Sequence, residues 1–213
     1  MVIQLQRDEH ILHIQLNRPA QLNAIDATLR DALYDVFCSV AADDSVHAIV
    51  ISGVGKGFCA GADLTEFGTA HTVLEKRRIR LQHDIWEVIR TCDKLTVAML
   101  HGFAIGSGLE LAMLCDIRIA AEGTTFSLPE AAIGMMPAAG GTQSLPRLTS
   151  LAHTMHIALT GERFSADEAW RYGIVQQVVP HEQLTVYTMD YVKRAVAQPQ
   201  WHKIRNDVRS IDN

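Results

Sequence analysis

His101-Gly-Phe-Ala-Ile-Gly-Ser-Gly-Leu-Glu-Leu-Ala-Met-Leu114 decides how the rest of the chain reads. Its first half is a glycine-rich loop. Its second half is an apolar helical segment carrying a single carboxylate, Glu110. The loop follows a nearly continuous apolar run over 94–100, which has the character of a strand buried on both faces. The segment after the helix, 116–120, reads as another strand. Strand, loop, helix, strand is the grammar of an α/β domain, and it puts ligand-binding loops at the carboxyl ends of strands.

Outward from that stretch the alternation continues. Toward the N-terminus, two short alternating runs over 2–7 and 11–17 flank Asp8-Glu9-His10 and predict a hairpin. Asp26 caps a helix whose apolar face is Leu29, Leu33, Val36, Phe37 and Val40. A buried strand over 47–52 runs into a second glycine loop, Gly53-Val-Gly-Lys-Gly-Phe-Cys-Ala-Gly-Ala-Asp63. That loop lacks the ending of a P-loop and the spacing of a dinucleotide fingerprint, and by itself it is a tight strand-to-helix connection. Asp63-Leu-Thr-Glu66 has the form of a helix start. A long helix is expected over 71–92, with the basic cluster 76–80 on its outer face. Toward the C-terminus, helices are expected over 142–148 and 150–159. Ser165-Ala-Asp-Glu168 is a capping box, 174–179 is a strand and 181–197 an amphipathic helix, and the tail after Pro199 is polar.

Composition narrows the classes. The 213 residues are 48% hydrophobic and 20% charged, with a formal net charge of -5, ordinary for a soluble globular enzyme and without the basic field of a nucleic-acid binder. The N-terminus lacks the pattern of a signal peptide, and no apolar run approaches membrane-spanning length. Cys38, Cys59, Cys92 and Cys115 are widely spaced, which fits reduced thiols in the cytoplasm better than a disulfide framework or a zinc ribbon. His153 and His156 lie a helical turn apart with no third ligand nearby, so no metal site is expected.

Chemistry concentrates at two glutamates. Leu128-Pro129-Glu130 places a second carboxylate ahead of another apolar, glycine-rich run ending at Gly141, and neither Glu110 nor Glu130 has a basic residue within six positions. Desolvation raises a carboxyl pKa toward the working pH, and two neighbouring carboxyls can hold different protonation states, the requirement for paired acid and base. A glutamate behind a proline also suits the first turn of any helix, which is the plain alternative for Glu130.

The motifs agree in order with one family. Asn17-Arg-Pro with Leu22-Asn-Ala24, Gly57-Phe-Cys-Ala-Gly-Ala-Asp-Leu64, the 101–111 stretch, Cys115-Asp116, Phe126-Ser-Leu-Pro-Glu130, Gly140-Gly-Thr142 and Thr160-Gly-Glu-Arg-Phe-Ser165 each look like a signature of the crotonase, or enoyl-CoA hydratase/isomerase, superfamily. The resemblance runs from residue 1 to about residue 200. It implies a spiral of ββα turns over 1–197, with a reduced C-terminal helical segment at 198–213, and homo-trimers or hexamers. It implies an acyl-CoA thioester substrate, with coenzyme A as part of that substrate and no separate cofactor, and an enoyl-CoA hydratase reaction. The two oxyanion donors map onto the N–H groups of Ala62 and Ser107, and the acid/base pair onto Glu110 and Glu130. The backbone around Ala60, Ala62, Asp63 and Leu64 is expected to hold the adenine. Arg18 and Lys56 are candidates for the phosphates or pantetheine, and Gly106 and Ala138 line the substrate.

Four positions depart from the family pattern. Ser107 and Ala138 stand where glycines are usual, His101 where asparagine is common and Leu95 where proline is common. The departures at Ser107 and Ala138 motivate a different acyl-CoA reaction as the alternative, and the short C-terminus a catalytically weak subunit.

Overall fold

The computed structural model describes residues 1–66, 72 and 82–210. Strands β1 (Ile3–Asp8) and β2 (Ile11–Leu16) form the expected antiparallel hairpin, turned at Glu9 with φ 52. Strands β3 (Ala48–Gly53), β4 (Leu95–Leu100), β6 (Ile117–Ala121) and β9 (Gln177–Val179) join them in parallel, in the order β1-β2-β3-β4-β6-β9. A second sheet holds β5 (Phe103–Ile105), β7 (Thr125–Ser127) and β8 (Phe164–Ser165), in the order β5-β7-β8.

These two sheets are the spiral. β4 of the large sheet passes into β5 of the small one and then into helix α3 (Ser107–Leu114), while β6 passes into β7 and the 3-10 turn Pro129–Ile133. The turn before them follows the same course, because Cys59, downstream of β3, bridges Ala104 of β5.

Side chains along each central strand alternate between two cores, the period of two that any strand imposes. Leu12, Ile14, Ile49, Ile51, Ala98 and Leu100 face helix α1 (Ala27–Ala41), through its Leu29, Leu33 and Phe37, and also face α2 (Ile85–Arg90) and α3. Ile11, Val50, Val97, Met99 and Ile119 face helix α7 (Leu184–Val196), through Leu184 and Val192. Covering both faces is what allows β3 and β4 to be apolar almost throughout. Helices α4 (Gly141–Leu148), α5 (Leu151–Thr160) and α6 (Ala166–Arg171) complete the layer behind the small sheet. The box at Ser165 and Glu168 forms as expected.

Two expectations are corrected. The helix expected over 71–92 does not run through its described part: His83 turns at φ 52, Asp84 caps a new start, and α2 spans only Ile85–Arg90. The remainder of that expectation, including the basic cluster, lies outside the described residues. The strand expected over 174–179 is confined to Gln177–Val179, because Ile174 and Val175 leave the sheet to fill the core. The C-terminal segment at 198–213 contains helix α8 (Trp201–Ser210), held by its polar residues. Arg205 and Arg209, one helical turn apart, both pair with Asp116, at 3.1 and 2.6 Å, and that carboxylate also accepts from Thr96 N and Oγ1.

Arg118 is fully buried and has no carboxylate partner among the described residues. It donates to the carbonyls of Cys115 (2.6 Å), Ala112 (3.3 Å) and Ile174 (2.5 Å), two of them at the end of α3. Burial pushes its guanidinium down to about 10, so it stays protonated at neutral pH and offsets the negative end of α3. No helix among the described residues is long and apolar enough to cross a membrane.

Candidate active site

The two glutamates come together. Glu110, in the first turn of α3, is 1% exposed. Its Oε1 accepts the N–H of Ala139 at 2.9 Å and of Gly141 at 2.8 Å, so the loop after the second glutamate grips the first. Its Oε2 is buried and has no hydrogen-bond partner among the described residues. Burial raises the Glu110 pKa, as does the charge of Glu130; the Gly141 and Ala139 amides and the Ser107 hydroxyl pull it back down.

Glu130 is half-buried in the 3-10 turn behind Pro129, and its Oε2 too is buried without a hydrogen-bond partner among the described residues. Burial raises its pKa, opposed by its own backbone N–H. Both carboxyls are raised by burial, and Glu110 also feels the charge of Glu130, so the two cannot ionise independently and can share one proton between them. The Ala139 and Gly141 amides favour the charged form of Glu110, the form a base for water requires.

Two glycines let the carboxylates sit where they do. A Cβ on Gly141 would stand 2.8 Å from Glu110 Oε1 and 2.8 Å from Pro137 Cβ. A Cβ on Gly106 would stand 2.8 Å from Glu130 Oε1, and the backbone there has φ +52, in the left-handed region.

The amides of Ala62 and Ser107 meet beside this pair. Gly61 packs so closely on the start of α3 that a Cβ on it would be 2.9 Å from Ile105 O and 3.6 Å from Ser107 N. The neighbouring amides are engaged: Gly61 N with Cys59 Sγ, Asp63 N with Ile25 O, and Gly106 N with Ser127 O. Among the described residues, neither Ala62 N nor Ser107 N donates to a protein acceptor. Ser107 is the first residue of α3, where an N–H has no partner within the helix and faces incoming negative charge.

The other expected site residues fall as follows. Ala60 N is taken by Leu22 O and Asp63 N by Ile25 O, each at 3.0 Å, while Leu64 is 62% exposed. Arg18 reaches both Asp26 (2.9 Å) and Asp63 (3.3 Å) and donates to Ala24 O. It is a bracket that ties the second glycine loop to the start of α1. Lys56 is exposed. Ala138 is exposed on a wall of a cavity of about 1000 Å³, which Met113, Pro137, Arg147, Trp201 and Ile204 also line; neither glutamate reaches it.

Two residues matter here that the sequence reading did not single out as site residues. Asn23 is 0% exposed with φ 57, and its side-chain amide ties Val54 O and Gly57 O, each at 3.0 Å, while its Oδ1 accepts from Arg18 N. Cys59 lies beneath the two free amides. Both lie inside motifs that carry the family resemblance, Leu22-Asn-Ala24 and the 57–64 stretch, which was the signal available for them.

Spiral ββα turns, a pair of buried carboxyl oxygens and a pair of free amides, one of them at a helix start, define an enzyme of the crotonase class. Residues 6–206 match the family described as enoyl-CoA hydratase/isomerase, and the chain belongs to that family. It is 35% identical over 188 residues to the 2,3-dehydroadipyl-CoA hydratase of Escherichia coli (strain K12), covering 88% of this chain and 73% of that protein. It is 37% identical over 182 residues to the crotonyl-CoA hydratase of Syntrophomonas wolfei, covering 84% and 70%. A crystal structure of an enoyl-CoA hydratase from Mycobacterium smegmatis superposes with a TM-score of 0.88 at 29% identity, covering 94% of this chain and 78% of that one.

Proposed function

We propose that the protein is an enoyl-CoA hydratase that adds water reversibly across the double bond of a 2-enoyl-CoA. The observation that carries this reading is the pair of buried, unpartnered carboxylate oxygens, Oε2 of Glu110 and Oε2 of Glu130. A buried oxygen without a partner is costly unless a ligand or water supplies one.

The thioester carbonyl accepts from Ala62 N–H and Ser107 N–H, which draws electron density from the β carbon. One such donor contributes about 3 kcal/mol to the transition state. Water held at Glu110 Oε2 attacks the β carbon as Glu110 takes its proton. Glu130, protonated, gives its proton to the α carbon, so the double bond becomes a C–OH and a C–H and the glutamates exchange charge. Each transfer typically gives about 10²- to 10⁴-fold. The carbonyls of Ala60 and Ala62 accept no hydrogen bond from described residues and suit the adenine amino group, while Asp63, held by Arg18 and Thr65, shapes the loop.

Incubation with a panel of enoyl-CoA and 3-hydroxyacyl-CoA esters, read by mass, tests the reading. Interconversion with a mass change of one water is expected, and binding without any such change sinks it.

The same reading includes self-association as a trimer or hexamer. Leu151, Met155 and Leu159 repeat every fourth residue along α5 at 70%, 51% and 67% exposure, an apolar stripe suited to a second copy. Light scattering is expected to give a multiple of 23.5 kDa; a monodisperse monomer at micromolar concentration excludes it.

A further inference from the structure

Cys59 is 0% exposed, and burial pushes its thiol up to about 12, so it is neither a nucleophile nor an acid at neutral pH. Its surroundings give it a different task. The thiol donates to Asn23 O at 3.0 Å and accepts the N–H of Gly61 at 3.4 Å, the amide directly before that of Ala62. On its other side the same residue is the floor under α3. A Cβ placed on Gly108 would lie 2.6 Å from Cys59 O, 2.7 Å from its Cβ and 2.8 Å from its Sγ. Cys59 O also accepts Ile105 N at 3.0 Å, two residues before Ser107.

One side chain thus touches the segments that carry both free amides. It fixes the 60–61 peptide, the one directly before the peptide that bears Ala62 N–H, through a hydrogen bond, and the start of α3 through close contact. We propose that Cys59 is a positioning residue for the oxyanion pair: its sulfur sets the separation and aim of Ala62 N–H and Ser107 N–H. The proposal rests on the hydratase reading, in which those amides polarise the thioester.

The geometry explains why the residue is small and polar. A hydroxyl has the same donor and acceptor capacity. A methyl leaves Gly61 N–H and Asn23 O without their partner and removes one of the three Cys59 atoms that Gly108 packs against. Valine restores much of the volume and none of the hydrogen bonding. Displacement of reacting groups by about 1 Å can cost 10²-fold in rate, and a partial shift of one donor costs less.

The test compares Cys59→Ala, Cys59→Val and Cys59→Ser with the unaltered protein, using the isotope-edited infrared C=O stretch of a bound enoyl-CoA thioester together with kcat and KM. The unaltered protein should lower the carbonyl stretch on binding. Ala and Val should each lose most of that lowering and about 10-fold in kcat, with KM within about 2-fold, since the loss falls on transition-state stabilisation. Ser should keep both within about 3-fold, as a hydrogen-bonding role requires. A folded Ala or Val variant with an unchanged carbonyl stretch and unchanged kcat overturns the assignment of Cys59 and leaves the hydratase reading standing. No carbonyl shift and no turnover in the unaltered protein removes the hydratase reading, and this assignment with it. The Val variant fills the space that alanine leaves, so a fault of packing is separated from a fault of aim.

Discussion

Glu110→Gln and Glu130→Gln should each lower kcat for hydration by about 10² or more while changing substrate affinity little. The glutamine at position 110 can still accept from Ala139 N and Gly141 N, so the loop keeps its grip and only proton transfer is lost. The double variant should lose far less than the product of the two single losses, because groups that act in one step are not additive. Stability should move the other way. The pKa of Glu110 is raised by burial, so above its folded pKa the native state bears a desolvated charge that the unfolded chain does not. Stability from this group is therefore greatest below its ordinary pKa of 4.5 and is lost as pH rises through the raised value. Glu110→Gln should melt higher than the parent at pH 8, and the difference should shrink toward pH 4. A variant that loses activity and stability together at pH 8 would mean that the carboxylate is a structural anchor. Normal turnover in Glu110→Gln alongside a dead Glu130→Gln would replace hydration by a one-base reaction.

The second large effect needs no change at either glutamate. Gly141→Ala retains the N–H that holds Glu110 but places a methyl 2.8 Å from Oε1 and from Pro137 Cβ, both too close for any real contact. The carboxylate or the 137–141 loop must yield. A shift of the order of 1 Å in the base costs about 10² in kcat. Steady-state kinetics on the folded variant checks it, with a thermal melt to show that the fold persists. Activity within about 3-fold of the parent would show that Glu110 tolerates displacement, and its cradle would then be dispensable.

What could be read from the sequence and what could not divide along physical lines. Strand and helix periods are local, so the hairpin, α1 and the buried strands β3 and β4 were all legible. The glutamates stood out because a charge in an apolar run is locally visible too. The turn at His83 was missed because the apolar spacing of Ile85, Val88 and Ile89 extends the stripe read from the sequence upstream, whereas a residue at positive φ cannot lie within a helix. Arg205 and Arg209 read as solvated polarity until Asp116, distant in sequence, supplied their partner. The hold of Ala139 and Gly141 on Glu110 consists of backbone amides, which every residue but proline possesses; only the folded chain shows which ones converge. The ion pairs that hold Arg18 between Asp26 and Asp63 likewise join residues distant in sequence.

Helix α3 carries Ser107 at its first position and Glu110 three residues on, about 4.5 Å along the axis and on nearly the same side. Its far end is anchored by Arg118. In the proposed reaction the donor for the carbonyl and the base for water therefore share one rigid lever, and no small rotation or slide improves one without disturbing the other. Glu130 rides on a separate short turn. A change confined to that turn can retune the proton given to carbon, whereas the loop that follows it reaches back to Glu110 through Ala139 N and Gly141 N and cannot shift without moving the lever.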